Sequence, residues 1–125
     1  MNDVLNPNPT IALAQDLIRR ASITPEDAGC QPLLAERLAA VGFTITALPF
    51  GAVDNLWAVR GSSGPLFCFA GHTDVVPTGD AAAWSQPPFA ANIVDDVLIG
   101  RGSADMKGSI AAMVTAIERF VQTTP

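Results

Sequence analysis

Two short stretches of this chain carry residue types that bind metals or move protons. Gly71-His72-Thr73-Asp74 follows the apolar run Leu66–Ala70 and holds the only histidine of the sequence. On an extended segment residues two apart project the same way, so the Asp74 carboxylate can meet one nitrogen of the His72 ring. Such a pair fixes the tautomer of the ring and raises the basicity of the nitrogen left for a metal. A hydrogen-bonded structural histidine explains the same residue, and both readings stand at this point. The second stretch is Gly100-Arg101-Gly102-Ser103-Ala104-Asp105-Met106-Lys107-Gly108-Ser109. A glycine-rich loop ahead of a helix invites phosphate binding, but its spelling is wrong. A dinucleotide fingerprint counted from Gly100 needs glycine where Asp105 stands, and Lys107-Gly108-Ser109 inverts the P-loop order. Asp105 then either caps the next helix or is turned by the glycines into the cleft of His72. There, imidazole and carboxylate suit zinc or a neighbouring divalent ion. Lys107 and Arg101 flank the acid and read as structural or solvent-facing.

These groups need a scaffold, and the apolar spacing supplies one. Ile11, Leu13, Ala14, Leu17 and Ile18 mark a helix from about Pro9 to Ala21. Thr24 as N-cap with Pro25 at the first helical position predicts a second helix. It would bury Leu33, Leu34, Leu38 and Val41 and stop at Gly42. Phe43–Leu48 alternates as a half-buried strand, and Asn55–Arg60 is a second, closed by the turn Gly61-Ser62-Ser63-Gly64-Pro65. Leu66–Ala70 is apolar throughout, which predicts a central strand covered on both faces, with Phe67, Cys68 and Phe69 in the core. Asp74 to Asn92 is a long loop of the kind that usually carries function; Trp84 either packs it or lines the cleft. Ile93–Ile99 predicts a hairpin around Asp95-Asp96. A last helix runs from near Asp105 to about Val121, with Ile110, Met113, Val114, Ile117 and Phe120 on one face. The class is α/β. A sheet with so apolar a central strand calls for further strands beside it, so the chain reads as part of a larger domain.

Composition narrows the function. The 125 residues hold 7 Lys+Arg against 12 Asp+Glu, a net charge of −5, with 49% apolar and 15% charged residues. That is too apolar for disorder and too poor in clustered cations for a nucleic-acid surface. No apolar run is longer than Leu66–Ala70 or Ile110–Val114, so none spans a membrane. The polar start Met1–Thr10 is not a signal peptide. Two cysteines, Cys30 and Cys68, fit no ligand spacing. They predict a reduced, cytoplasmic protein with two buried thiols.

Phe69-Ala70-Gly71-His72-Thr73-Asp74-Val75-Val76-Pro77, Trp84 with Pro87-Pro88-Phe89, and Gly100-Arg101-Gly102-Ser103-Ala104-Asp105-Met106-Lys107-Gly108 together resemble the di-zinc M20 metallopeptidase and amidohydrolase family. Ser22-Ile23-Thr24-Pro25-Glu26-Asp27-Ala28-Gly29-Cys30-Gln31 shares the likeness, which covers nearly the whole chain. Asp95-Asp96 departs from the family's usual Asp-Gly and touches no ligand. The resemblance implies a partial three-layer catalytic domain, a mixed sheet flanked by helices, with the lid and dimerisation domain absent from these residues. It implies that His72 is a zinc ligand, Asp105 the carboxylate bridging both zinc ions, and Asp74 the catalytic-site carboxylate orienting His72. It further implies two zinc ions per full-length subunit, with cobalt as a substitute, and hydrolysis of a small N-acyl amino acid by a homodimer. Residues 1–125 would be the N-terminal part of the zinc-dependent catalytic domain. The Glu-Glu pair that supplies the general base and a further ligand, together with a distant histidine, is expected beyond Pro125. On that count residues 1–125 alone would bind zinc weakly and turn nothing over. Other aminoacylases or carboxypeptidases of the family are the alternative within this class. Outside it stands a metal-free interaction module that pairs through an open sheet edge.

Overall fold

Asn8 opens the first helix by accepting, through its side-chain oxygen, the backbone N–H groups of Thr10 and Ile11, with Pro9 at the first helical position. The computed structural model describes residues 8–125, so Met1–Pro7 of the polar start lies outside the described residues. Helix α1 runs Pro9–Ile18 and buries Leu13, Ala14, Leu17 and Ile18. It ends short of the expected Ala21 because Ser22 turns to φ 48 and gives its backbone to another segment. The Val75 N–H donates to the Ser22 carbonyl at 2.9 Å, and the Thr24 N–H donates to the Val75 carbonyl at 3.0 Å. These two bonds form a parallel bridge between Ile23 and Val75.

The same bridge corrects the second helix. Thr24 and Pro25 do not start it, since the Thr24 backbone is committed sideways to the strand-like stretch after His72. Helix α2 runs Cys30–Ala40 behind Gly29 in the left-handed region at φ 86. Asp27 accepts the Gln31 N–H at 2.8 Å and so takes over the capping work expected of Thr24. Gly42, at φ 94, closes the helix as its position predicts. Strands β1 (Thr44–Ala47) and β2 (Leu56–Val59) pair antiparallel, with Thr44 opposite Val59. Strands β3 (Asn92–Val94) and β4 (Val97–Ile99) form the expected hairpin. Its two turn residues, Asp95 and Asp96, stand at φ 51 and 64, the left-handed pair that two-residue hairpins require. Helix α3 runs Gly108–Thr123.

The core lies where the three helices meet, with Leu13, Ala14 and Leu17 of α1, Cys30, Leu34 and Leu38 of α2, and Ile110, Ala111 and Val114 of α3. Arg37 holds α2 to α3 by a two-pronged pair with Glu118, at 3.0 and 2.7 Å. Thr10 and Thr115 join α1 to α3 through their hydroxyls at 2.6 Å. No helix among the described residues is long and apolar enough to cross a membrane.

The expected central strand fails as well. Leu66–Ala70 pairs with no strand among the described residues, and Leu66, Phe67 and Phe69 are 72%, 81% and 48% exposed. An extended run becomes a strand only beside a hydrogen-bonded neighbour, and β1 and β2 are paired with each other. The run instead borders an apolar groove of about 850 Å³, shared with Leu34, Phe43, Ile110, Met113 and Phe120. The expectation of two buried thiols fails with it, because Cys68 is exposed and only Cys30 is buried. Burial pushes the Cys30 thiol up from its usual range, an effect the nearby Lys107 charge opposes in part. A thiol reagent is therefore expected to label Cys68 at once and Cys30 only on unfolding. Two thiols reacting together in the native chain would contradict this packing.

Candidate functional site

His72 and Asp105 belong to segments far apart in the chain, yet the fold brings His72 Nε2 to 3.0 Å from Asp105 Oδ1. The histidine is set from below by the segment that follows α1. The Ser22 hydroxyl donates to the Thr73 carbonyl at 2.9 Å, and the Thr73 hydroxyl donates to the Asp27 carboxylate at 3.0 Å. The Thr24 hydroxyl donates to Asp74 Oδ2. The two residues that follow His72 are thus held by the segment after α1.

Asp74 meets the ring in a way finer than the expected carboxylate–imidazole pair. Its backbone carbonyl lies 2.9 Å from His72 Nδ1, while its carboxylate oxygen Oδ1 stands 3.4 Å from the same nitrogen. A carbonyl only accepts, so Nδ1 carries a proton, and it is Nε2 that faces the Asp105 carboxylate oxygen. The contact is favourable only with a proton or a cation between the two atoms. An imidazole nitrogen and a carboxylate oxygen are a donor pair that zinc and similar divalent ions take. In number they fall short. Among the described residues no three His, Cys, Asp or Glu side chains come together as a metal-holding group, and zinc normally takes three or four protein ligands.

Asp105 reaches this position through an irregular turn rather than as the cap of a helix. Ser103–Lys107 forms a wide turn ahead of α3, in which Asp105 (φ −130, ψ 89) and Met106 (φ −135, ψ 30) leave helical geometry. The helix begins only at Gly108, so the expected start near Asp105 and the capping role both give way. Gly102, at φ 83, lets the turn pass close to Val75; a Cβ there would stand 2.5 Å from Val75 Cγ1. Lys107 is fully buried and donates from Nζ to the Arg20 carbonyl at 2.7 Å, pinning the turn to the end of α1. Burial pulls its pKa below the usual lysine range, with Cys30 and Asp27 pulling the other way. Its structural reading holds.

The cleft around these groups has a volume of about 300 Å³ and is walled by Thr24, His72, Asp74, Val76, Arg101 and Asp105. Trp84 packs the long loop: its Nε1–H donates to the Thr78 carbonyl at 3.1 Å, and its ring lies under the Arg101 guanidinium at 5.0 Å. Sequence reasoning missed the roles of Ser22, Thr24 and Asp27 as the bed of the His72 segment. Thr-Pro followed by acids is also a helix-start pattern, and nothing local reveals a partner some fifty residues away.

Comparison with known proteins bears on the same residues. Residues 68–125, which include both His72 and Asp105, match the model of peptidase family M20/M25/M40. The whole chain is 62% identical to a succinyl-diaminopimelate desuccinylase of Hahella chejuensis, spanning 32% of that protein's length. Among solved structures, an M20 family metallo-carboxypeptidase from Sulfolobus solfataricus superposes with a TM-score of 0.83 at 19% identity. That match covers 93% of this chain and 28% of the other. Human carnosine dipeptidase 1 superposes with a TM-score of 0.64 at 23% identity, covering 90% of this chain and 30% of the other. At such identities the two structures speak for the fold.

Proposed function

Because this chain belongs to the M20 peptidase family, we propose that residues 1–125 are the amino-terminal part of its zinc-dependent catalytic domain. We infer that the whole protein hydrolyses N-succinyl-LL-2,6-diaminopimelate to succinate and LL-2,6-diaminopimelate. That reaction belongs to diaminopimelate and lysine biosynthesis, and on this reading the enzyme is a cytoplasmic homodimer. Identity of 62% to a desuccinylase along the full chain supports the substrate. The meeting of His72 Nε2 with Asp105 Oδ1 carries the chemistry.

When bound, zinc or its substitute cobalt polarises an amide carbonyl and supplies a water acidic enough to ionise near neutral pH. The rest is the work of this chain's own side chains. The Asp74 carbonyl accepts the hydrogen bond of Nδ1–H, which orients the His72 ring so that Nε2 is the nitrogen turned toward Asp105. The Asp74 carboxylate stands behind the ring, 3.4 Å from Nδ1 and held by the Thr24 hydroxyl, and helps to fix the ring's orientation. Asp105, nearly free of protein contacts, offers a carboxylate with an oxygen to spare beyond the one that faces His72. The cleft walls hold no glutamate. We place the proton-accepting group and the remaining ligands in the part of the desuccinylase relative's length that these 125 residues do not span.

Two measurements test this. The complete enzyme is expected to cleave N-succinyl substrates in preference to N-acetyl ones; the reverse order would move it to the acetylornithine deacetylase type or another aminoacylase. Calorimetric titration of residues 1–125 with zinc is expected to show weak binding, since two ligands are too few. Sub-micromolar affinity that requires both His72 and Asp105 would overturn that count.

A further inference from the structure

Arginine is the only cationic residue type on the walls of the His72–Asp105 cleft, and Arg101 supplies it. Five of the other six basic side chains are occupied within the protein, and the sixth, Arg119, lies outside this cleft. Arg19, Arg20, Arg37, Arg60 and Lys107 each donate to a carbonyl or carboxylate of the protein. Arg101 differs. Its Nε is buried without an acceptor, and no side-chain hydrogen bond of its guanidinium to another group is found among the described residues. Its position is nonetheless fixed from two sides. The guanidinium lies over Trp84 at 5.0 Å, Trp84 is itself tied to Thr78, and the Arg101 backbone N–H donates to the Pro88 carbonyl at 2.8 Å. Stacking occupies the face of a guanidinium, whereas its hydrogen-bond donors lie in the plane, where they match the two oxygens of a carboxylate.

We propose that Arg101 is the anion-recognising residue of this cleft and takes the free carboxylate of a dicarboxylic acyl group. The proposal rests on the reading of the substrate as an N-succinyl amide, and it deepens that reading. Asp74 and Asp105 both line the cleft and repel an anionic acyl chain. A fixed positive charge on the same walls offsets that repulsion for a succinyl group. An acetyl group has no charge to offer and gains nothing from it. Arg101 is thus a specificity-determining residue, and its loss is felt by one substrate class alone.

The test uses Arg101→Gln and Arg101→Lys in the complete enzyme, assayed on N-succinyl and N-acetyl derivatives of one amine. With glutamine, KM for the N-succinyl substrate is expected to rise roughly tenfold to a hundredfold, the loss typical of a charge-assisted pair. The N-acetyl substrate should barely respond. Lysine should restore part of the difference, because it keeps the charge and loses the fork. Equal losses on both substrates, or none, overturn the proposal. A second measurement needs no turnover. In the 125-residue chain carrying Trp57→Phe, Trp84 is the remaining tryptophan, and its emission is titrated with succinate and with acetate. Succinate should shift the emission in an Arg101-dependent way, and acetate should not. Emission indifferent to succinate overturns the anion site. A response to succinate in an enzyme that ignores N-succinyl amides upholds the site and discards the substrate reading.

Discussion

Asp105→Asn and His72→Gln are each expected to abolish amide hydrolysis by the complete enzyme while leaving the fold as stable as before. The two halves of that statement have separate causes. The Asp105 side chain is 87% exposed and that of His72 47% exposed, and each meets the other in the cleft. Surface changes of this kind usually alter stability by no more than about 0.5 kcal/mol. Activity is another matter, since both groups are proposed to hold the metal. Removing an outer partner of a metal ligand costs roughly 10- to 100-fold in affinity or activity, and that is the loss expected for Asp74→Asn. Loss of a ligand itself should exceed it. Parallel activity assays with added zinc and urea melts of all three variants give the ranking directly. An Asp105→Asn enzyme more active than Asp74→Asn would remove Asp105 from the metal. An unfolded Asp105→Asn chain would show that its role was architectural.

The legibility of this site follows from how local its signals are. His72 and Asp74 are two residues apart at the end of an apolar run, and Asp105 sits in a glycine-rich loop whose acid and whose Lys107-Gly108-Ser109 order exclude the phosphate alternatives. Each reading needs only a few neighbouring residues, and the fold puts Nε2 and Oδ1 3.0 Å apart. The start of α1, the stop at Gly42 and the Asp95-Asp96 hairpin are local in the same way. Thr24 was misread because its hydroxyl is spent on Asp74, across the bridge formed by Ile23 and Val75. A threonine before a proline looks identical whether it caps a helix or lies against another segment. Leu66–Ala70 failed for a different reason. Its composition states that both faces seek cover, which is a demand on neighbours rather than a property of the run. The same holds for Phe120 on the apolar stripe of α3, which is 62% exposed at the edge of the groove.

Gly108→Ala should disable the site without altering any residue of the cleft. At an ordinary helical position this change stabilises, by up to about 1 kcal/mol, because alanine is the better helix former. The backbone of Gly108 is itself helical, at φ −62 and ψ −43, so propensity alone predicts a gain. Space reverses the sign. A Cβ at Gly108 would stand 2.4 Å from the Ser103 carbonyl oxygen and 3.6 Å from its carbon. The obstacle is backbone, with no flexible side chain to swing aside. Ser103 can retreat only by opening the turn that carries Asp105, and that turn is pinned at Lys107 and passes tightly over Val75 through Gly102. Overpacking of this kind typically costs about 1–3 kcal/mol, which outweighs the helical gain. The expected result is a lower urea midpoint together with loss of hydrolysis by the complete enzyme, as Asp105 is drawn away from His72. Ser109→Ala, one residue along on the exposed side of α3, controls for helix propensity and should leave both unchanged. A Gly108→Ala protein with a raised midpoint and full activity would mean that the turn relaxes freely. The placement of Asp105 would then not depend on this contact.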